Sequence, residues 1–201
     1  MPFRLLLPAC LLLLLAACAR QPLREVEDFQ RYRQELAAIE DWQLSGKMNL
    51  RVPGESDTVR IIWQNRPEDF AIRLSGALGM GATWIRGNSR EVRLEQSGED
   101  PIIAPSADEL AYSLLGRSIP ISELRYWIRG LPAPQPRPAQ LAFNAEGVLT
   151  QLEQSGWTLQ FSDYRAVGDW NLPGRIVGSR DDMRITLLIS DWSLAAPDED
   201  H

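Results

Sequence analysis

The sequence predicts a mainly β fold with a few helices (α+β), built as a strongly curved antiparallel meander. Three observations predict it. Apolar and polar residues alternate with a period of two in short runs along most of the chain. Turn-forming residues separate those runs, and only three stretches carry helical signals. Strands that follow one another through short turns, without alternating helices, form antiparallel sheets.

In chain order, Val26, Phe29, Tyr32, Leu36 and Ile39 recur at helical spacing, which predicts an amphipathic helix ending near Asp41. From Trp42 to Val52 the period becomes two: Leu44, Met48, Leu50 and Val52 face one way, while Gln43, Ser45, Lys47, Asn49 and Arg51 face the other. The same alternation returns in Val59-Ile61-Trp63, Phe70-Ile72-Leu74, Val92-Leu94, Trp157-Leu159-Phe161 and Met183-Ile185-Leu187-Ile189. Turns are marked by Pro53-Gly54, Arg66 to Asp69, Gly87-Asn88, Asn144 to Gly147 and Arg180 to Asp182. Ser106-Ala107-Asp108-Glu109 has the capping-box pattern, with Leu110, Leu114 and Leu115 behind it and Gly116 as its stop. Ser122 is placed to cap a third, short helix carrying Leu124, Trp127 and Ile128, ended by Gly130 and Pro132. Pro132, Pro134, Pro136 and Pro138 then make a stiff crossing connector rather than a domain boundary. The helices would cover the concave face of the sheet. Periodicity leaves open whether the interior is packed solid or receives a ligand.

The N-terminus sets the compartment. Arg4 precedes an apolar run, Leu5 to Ala17, that is shorter than the about 20 residues a bilayer span needs and reads as a secretory signal. It ends in Leu15-Ala16-Ala17-Cys18, which matches a bacterial lipobox. There the peptide is cleaved before the cysteine, which carries S-diacylglycerol and an N-acyl chain. Several chains, at about 0.8 kcal/mol per buried CH₂, anchor a protein stably. Ala19, rather than aspartate, follows the cysteine and points to the outer membrane. The organisation expected is therefore signal peptide 1–17, lipidated Cys18 and tether 18–25, one domain 26–194, and acidic tail 195–201.

Familiar chemistry finds few residues. After cleavage the chain has no free thiol, and its single histidine is the terminal His201. That leaves no Ser/His/Asp or Cys/His catalysis and no histidine- or cysteine-based zinc site. The acidic pairs Glu40-Asp41, Glu68-Asp69 and Asp181-Asp182 fall at element ends or turns, where solvated charge is expected. No enzyme activity, cofactor or metal is expected, and a net charge of −6 without a basic block argues against nucleic acid.

Two features ask for another explanation. Between predicted strands lies Gly76-Ala77-Leu78-Gly79-Met80-Gly81, a glycine-hinged turn with a leucine and a methionine where polar residues are usual. It is not a dinucleotide loop, because strand rather than a helix N-terminus follows it. Seven tryptophans suit a β-rich core and equally the stiff wall of a cavity for greasy ligands.

Several segments together resemble the outer-membrane lipoprotein receptor family LolB. They are Trp42-Gln-Leu-Ser-Gly46-Lys47, Leu74-Ser-Gly-Ala-Leu78-Gly79, Leu114-Leu-Gly116, Leu124-Arg-Tyr-Trp127-Ile-Arg-Gly130-Leu131-Pro132, Gly156-Trp157, Leu172-Pro173 and Leu187-Leu-Ile189-Ser-Asp-Trp192. The resemblance implies an incompletely closed antiparallel β-barrel, or half-barrel, lidded by helices over a hydrophobic cavity. It implies a monomer on the periplasmic face of the outer membrane of a Gram-negative cell. There it would accept triacylated lipoprotein cargo from the periplasmic carrier LolA and insert it into outer-membrane lipid. Leu78 matches the family's transfer-loop leucine, Met80 is a second contact, and Gly76, Gly79 and Gly81 are the hinges. Strand parity and helix faces place Met48, Leu50, Ile61, Trp63, Phe70, Ile72, Leu110, Leu114 and Trp127 on the cavity wall. Two other readings stay open at this point: a scaffold lipoprotein of an envelope complex, and a lipocalin-like binder of small ligands.

Overall fold

Asp28 sets the start of the first helix. In the computed structural model, which describes residues 22–76, 81–138 and 140–194, its carboxylate accepts the N–H groups of Gln30 and Arg31 at 2.9 and 3.1 Å. Helix α1 therefore spans Phe29–Ala38, shorter at both ends than the periodicity predicts. Val26 stays outside it because its N–H donates to the carbonyl of Glu146 at 2.9 Å, and Ile39 leaves in extended conformation. Arg24, placed in the tether by the sequence, is already docked: its N–H donates to Oδ1 of Asn171 and its carbonyl accepts from Nδ2.

Thirteen strands follow among the described residues. The first six are β1 (Trp42–Val52), β2 (Glu55–Asn65), β3 (Asp69–Ser75), β4 (Ala82–Asn88), β5 (Val92–Gln96) and β6 (Ile102–Ala104). Helices α2 (Ala107–Leu115) and α3 (Ile121–Trp127) come next. The chain then forms β7 (Gln140–Phe143), β8 (Leu149–Gln154), β9 (Trp157–Ser162), β10 (Arg165–Val167), β11 (Trp170–Leu172), β12 (Arg175–Arg180) and β13 (Met183–Leu194). Eleven strands make one antiparallel sheet in the order β6-β5-β4-β3-β2-β1-β13-β12-β9-β8-β7, and β10 pairs with β11 alone.

This order explains the open curved sheet. The chain walks outward from β1 to the β6 edge, crosses through α2, α3 and the proline segment, and resumes at the β7 edge. It returns inward until β13 pairs with β1 at the centre. Both halves and the crossing helices share one core, in which Leu44, Trp63 and Ile72 meet Trp127, Leu152, Leu159, Ile176 and Leu187. Gly46 of β1 faces a bulge in β13, where Ser190 is the extra residue, and a Cβ on Gly46 would sit 2.1 Å from the carbonyl oxygen of Leu188.

Ser106 caps α2 as the sequence predicts, accepting the Glu109 N–H at 3.2 Å, and Gly116 ends it at φ 63°. Ser122 does not cap α3. That helix starts two residues earlier than a Ser122 cap would set it, at Ile121 after Pro120, and Ser122 instead gives its N–H and hydroxyl to the Asp108 carboxylate at 2.9 and 2.6 Å. The two crossing helices are thereby tied together at their N-terminal ends.

The registers divide the sheet into two ends. Ser75 lies opposite Arg60, which lies opposite Lys47, so the β3–β4 connection and the β1–β2 hairpin point the same way. The β12–β13 turn joins them, because Arg184 lies opposite Arg51. The β7–β8 turn that receives Val26 lies at the opposite end.

Candidate functional site

Period-two alternation gives the sheet one apolar face, and the crossing helices roof part of it without filling it. A cavity of about 260 Å³ remains between them. Met48 and Leu50 of β1, Ile61 and Trp63 of β2, Ile72 of β3, Leu110 and Leu114 of α2, and Trp127 of α3 line it. Phe70 does not. It shares their parity, but its ring lies over Gly87, where a Cβ would come within 2.7 Å of it, and lines a polar groove beyond the cavity floor. The far wall comes from the second half of the chain, including Trp157, Leu159, Ile176, Ile185 and Leu187. Sequence reasoning omitted these from the lining, although the strands of Trp157, Leu159, Ile185 and Leu187 carry the same alternation. Among the described residues no charged side chain lines the cavity, and Thr83 brings its one hydroxyl.

Two buried polar residues hold the roof in place. Gln154, 2% exposed, accepts the Trp127 indole N–H at 2.8 Å and the Ala133 N–H at 2.9 Å through one oxygen. Its nitrogen donates to the carbonyls of Ala133, at 3.0 Å, and Pro136. One amide thus orients a tryptophan of the cavity wall and fastens the proline crossing. Arg129, 4% exposed, donates to the carbonyls of Leu36, Ile39 and Arg125 at 3.1, 2.8 and 3.1 Å. It so closes the C-terminal end of α1. Desolvation lowers its pKa to about 10, and Trp42 and Tyr126 lie against the guanidinium, each 5.6 Å from its carbon. Neither residue carries a hydrophobic signal in the sequence.

The cavity opens at the hairpin end. Leu114 and Leu115 both line it and are yet 46% and 44% exposed, so they form an apolar lip. Just beyond, Arg117 bridges to Asp182 in the β12–β13 turn at 2.6 Å. The β3–β4 connection leaves at this same end. Of its predicted hinges, Gly76 follows β3 and Gly81 holds φ +69°. Leu78, Gly79 and Met80 lie outside the described residues, as does Cys18. No described helix is long and apolar enough to cross a membrane.

The family model for the outer membrane lipoprotein LolB matches residues 40–192. This chain belongs to the LolB family. An outer-membrane lipoprotein LolB of Cellvibrio japonicus is 40% identical over 92% of this chain and 96% of its own length. A LolB of Stutzerimonas stutzeri is likewise 40% identical, over 93% of this chain and 94% of its own length. The fold is shared with a LolA superfamily protein from Nitrosomonas europaea, at a TM-score of 0.54 and 11% identity, covering 85% of this chain and 95% of that one. The LolB match includes the Trp127-to-Pro132 segment, whose side chains the structure explains: Trp127 in the cavity wall, Arg129 on α1, Leu131 fully buried.

Proposed function

We propose that this domain accepts acylated lipoproteins from the periplasmic carrier LolA into the apolar cavity and passes them to outer-membrane lipid. It acts as a monomer held by the acyl chains on Cys18, without catalysis or cofactor. The domain runs from residue 26 to 194, behind a signal (1–17) and tether (18–25) and before an acidic tail (195–201). The observation that carries this reading is an uncharged cavity with an exposed leucine lip, in a member of the LolB family.

The energetics need no fuel. Each CH₂ kept from water is worth about 0.8 kcal/mol, so acyl chains move from one apolar shelter to a better one and end in the bilayer. At about 260 Å³ the resting cavity lies below the roughly 300–1,000 Å³ of common ligand pockets. Acyl cargo therefore requires α2 and α3 to lift, and the Asp108–Ser122 bonds let them move as one unit. The Arg117–Asp182 pair that holds the lip is exposed and weak enough to part.

The decisive experiment mixes carrier-bound, labelled lipoprotein with the processed chain carrying Cys18→Ala. Transfer of label to this chain is expected; a stable complex with another envelope protein and no transfer would favour a scaffold. Leu78 and Met80 are proposed as the bilayer contact, with Leu78 contributing roughly 1.5–3 kcal/mol. Leu78→Glu should keep folding and cargo acceptance and block release into vesicles. Release at the normal rate would remove that role.

A further inference from the structure

The convex face of the sheet carries cations where strand pairing disfavours them. Lys47 lies directly opposite Arg60, and Arg51 directly opposite Arg184. Arg86 lies directly opposite Arg93. All six take the parity that faces away from the cavity, since Lys47 and Arg51 alternate with Met48 and Leu50 and the others pair or alternate in register with them. Like charges directly opposite each other destabilise a sheet.

Acidic residues are plentiful in a chain of net charge −6, yet on this face Glu95 serves Arg86 and Asp191 accepts the Ser45 hydroxyl, which leaves the cations of β1, β2 and β13 uncompensated. Among the described residues Lys47, Arg51, Arg60 and Arg184 are exposed and enter no ion pair. The acids of the same hairpin, Glu55 and Asp57, fall on the other face, opposite Val52 and Leu50. Only Arg86 has a carboxylate, that of Glu95. Apolar surface is interleaved with the charge: Leu188, opposite Lys47, is 42% exposed, and Trp84 lies under the guanidinium carbons of Arg86 and Arg73 at 4.3 and 5.5 Å.

We propose that this convex face docks on anionic phospholipid headgroups, with Leu188 and Trp84 at the headgroup boundary. The inference rests on the reading that the domain works at a membrane. Three features favour a lipid surface over an acidic protein or a nucleic acid. The cations spread over β1, β2, β4, β5 and β13, with strands about 4.8 Å apart, as a broad face rather than a groove. An exposed leucine and a half-buried indole among cations suit an interface that is part charged and part hydrocarbon. The N-terminal segment docks at one end of the sheet and the β3–β4 connection leaves at the other, so a domain lying on its side brings both to one plane.

The test is flotation of the processed Cys18→Ala chain with vesicles of phosphatidylcholine alone or mixed 3:1 with phosphatidylglycerol. Binding should be at least about tenfold tighter to the anionic vesicles and should weaken with salt. The double variant Lys47→Glu, Arg51→Glu converts two like-charge pairs into opposite-charge pairs. It should lower binding by at least about 25-fold, at roughly fivefold per cation lost, while its thermal midpoint holds or rises. Lys47→Gln, Arg51→Gln should show the loss of binding without new ion pairs. Equal binding to both vesicles, binding unchanged in these variants, or tighter binding to polyglutamate or heparin than to anionic vesicles would overturn the proposal. Label transfer from the carrier separates the two readings: transfer without charge-dependent docking sinks this inference alone, and docking without transfer sinks the receptor function alone.

Discussion

Replacing Gln154 by methionine keeps the volume of the side chain and removes all four hydrogen bonds of its amide. The Trp127 and Ala133 N–H groups lose their acceptor, and the Ala133 and Pro136 carbonyls lose a donor. A buried polar group left without a partner costs about 1–3 kcal/mol. The two orphaned donors alone cost about 2–6 kcal/mol, and some backbone relaxation recovers the carbonyls. A loss of about 3–6 kcal/mol is expected, a large share of the about 5–15 kcal/mol that holds a domain together. For a chain of this size that lowers the melting temperature by roughly 6–24 °C. Thermal and urea unfolding followed by circular dichroism would measure it. The control is Gln151→Met, three residues earlier in β8 on the outward parity opposite Gln160, which should change stability by less than about 0.5 kcal/mol. If Gln154→Met costs no more than that control, the claim that one buried amide secures the cavity roof is wrong.

Gly46→Ala should prevent β1 from pairing with β13 and so the fold, because its Cβ would meet the Leu188 oxygen at 2.1 Å; soluble, cooperatively melting protein would contradict this. Ala111→Trp, which fills the cavity from α2, should leave the circular dichroism spectrum intact and stop acceptance of labelled lipoprotein; normal acceptance would place the cargo elsewhere. Alkaline titration reads the α1 dock. Burial raises the Tyr32 pKa to about 12, so the folded state keeps a proton that the unfolded chain loses near 10. The stability this contributes is whole below pH 10 and is lost as pH rises to 12, about 3 kcal/mol in all. Burial raises Tyr164 in the same direction, while Arg129, depressed to about 10, gives an opposing rise over that window. Tyr32→Phe should make the alkaline decline shallower, at a cost of about 1 kcal/mol at pH 8, where Asn171 loses its hydroxyl partner. An unchanged slope in urea titrations at pH 9 to 11.5 would refute that assignment.

Strands with one buried face were legible because burial writes alternation into sequence. Leu44 to Val52, Ile61-Trp63 and Trp157 to Phe161 all appear where the period placed them. Strand β12 was not, since Ile176, Val177 and Gly178 are buried on both faces and carry no period of two. Nor was β8, whose inward residues include Gln154, a group buried by hydrogen bonds rather than by hydrophobicity. Parity chose the lining residues from Met48 to Ile72, but cannot say where a wall stops. Phe70 continues that row and turns onto Gly87. The cavity's far wall depends on β13 pairing with β1, a long-range choice that local pattern does not encode. Cation placement was the reverse case: every residue was visible, but only the register revealed that they oppose one another.

The pairing of β1 with β13 also sets the order in which the molecule can be made. Trp42 meets Leu194 across nearly the whole described chain, and the strands between them pair mostly as sequentially local hairpins, with β9 meeting β12 across the β10–β11 hairpin. Closing so large a loop is an entropic cost met late, and folds dominated by such contacts form slowly. Until that last seam zips, Ile185 and Leu187 are missing from the wall and no enclosed cavity exists. A chain emerging through a membrane, amid lipid and acylated neighbours, therefore has no shelter to fill prematurely. Competence for cargo arrives in one step, with the final strand, so the timing of maturation is written into the placement of β1 and β13 side by side.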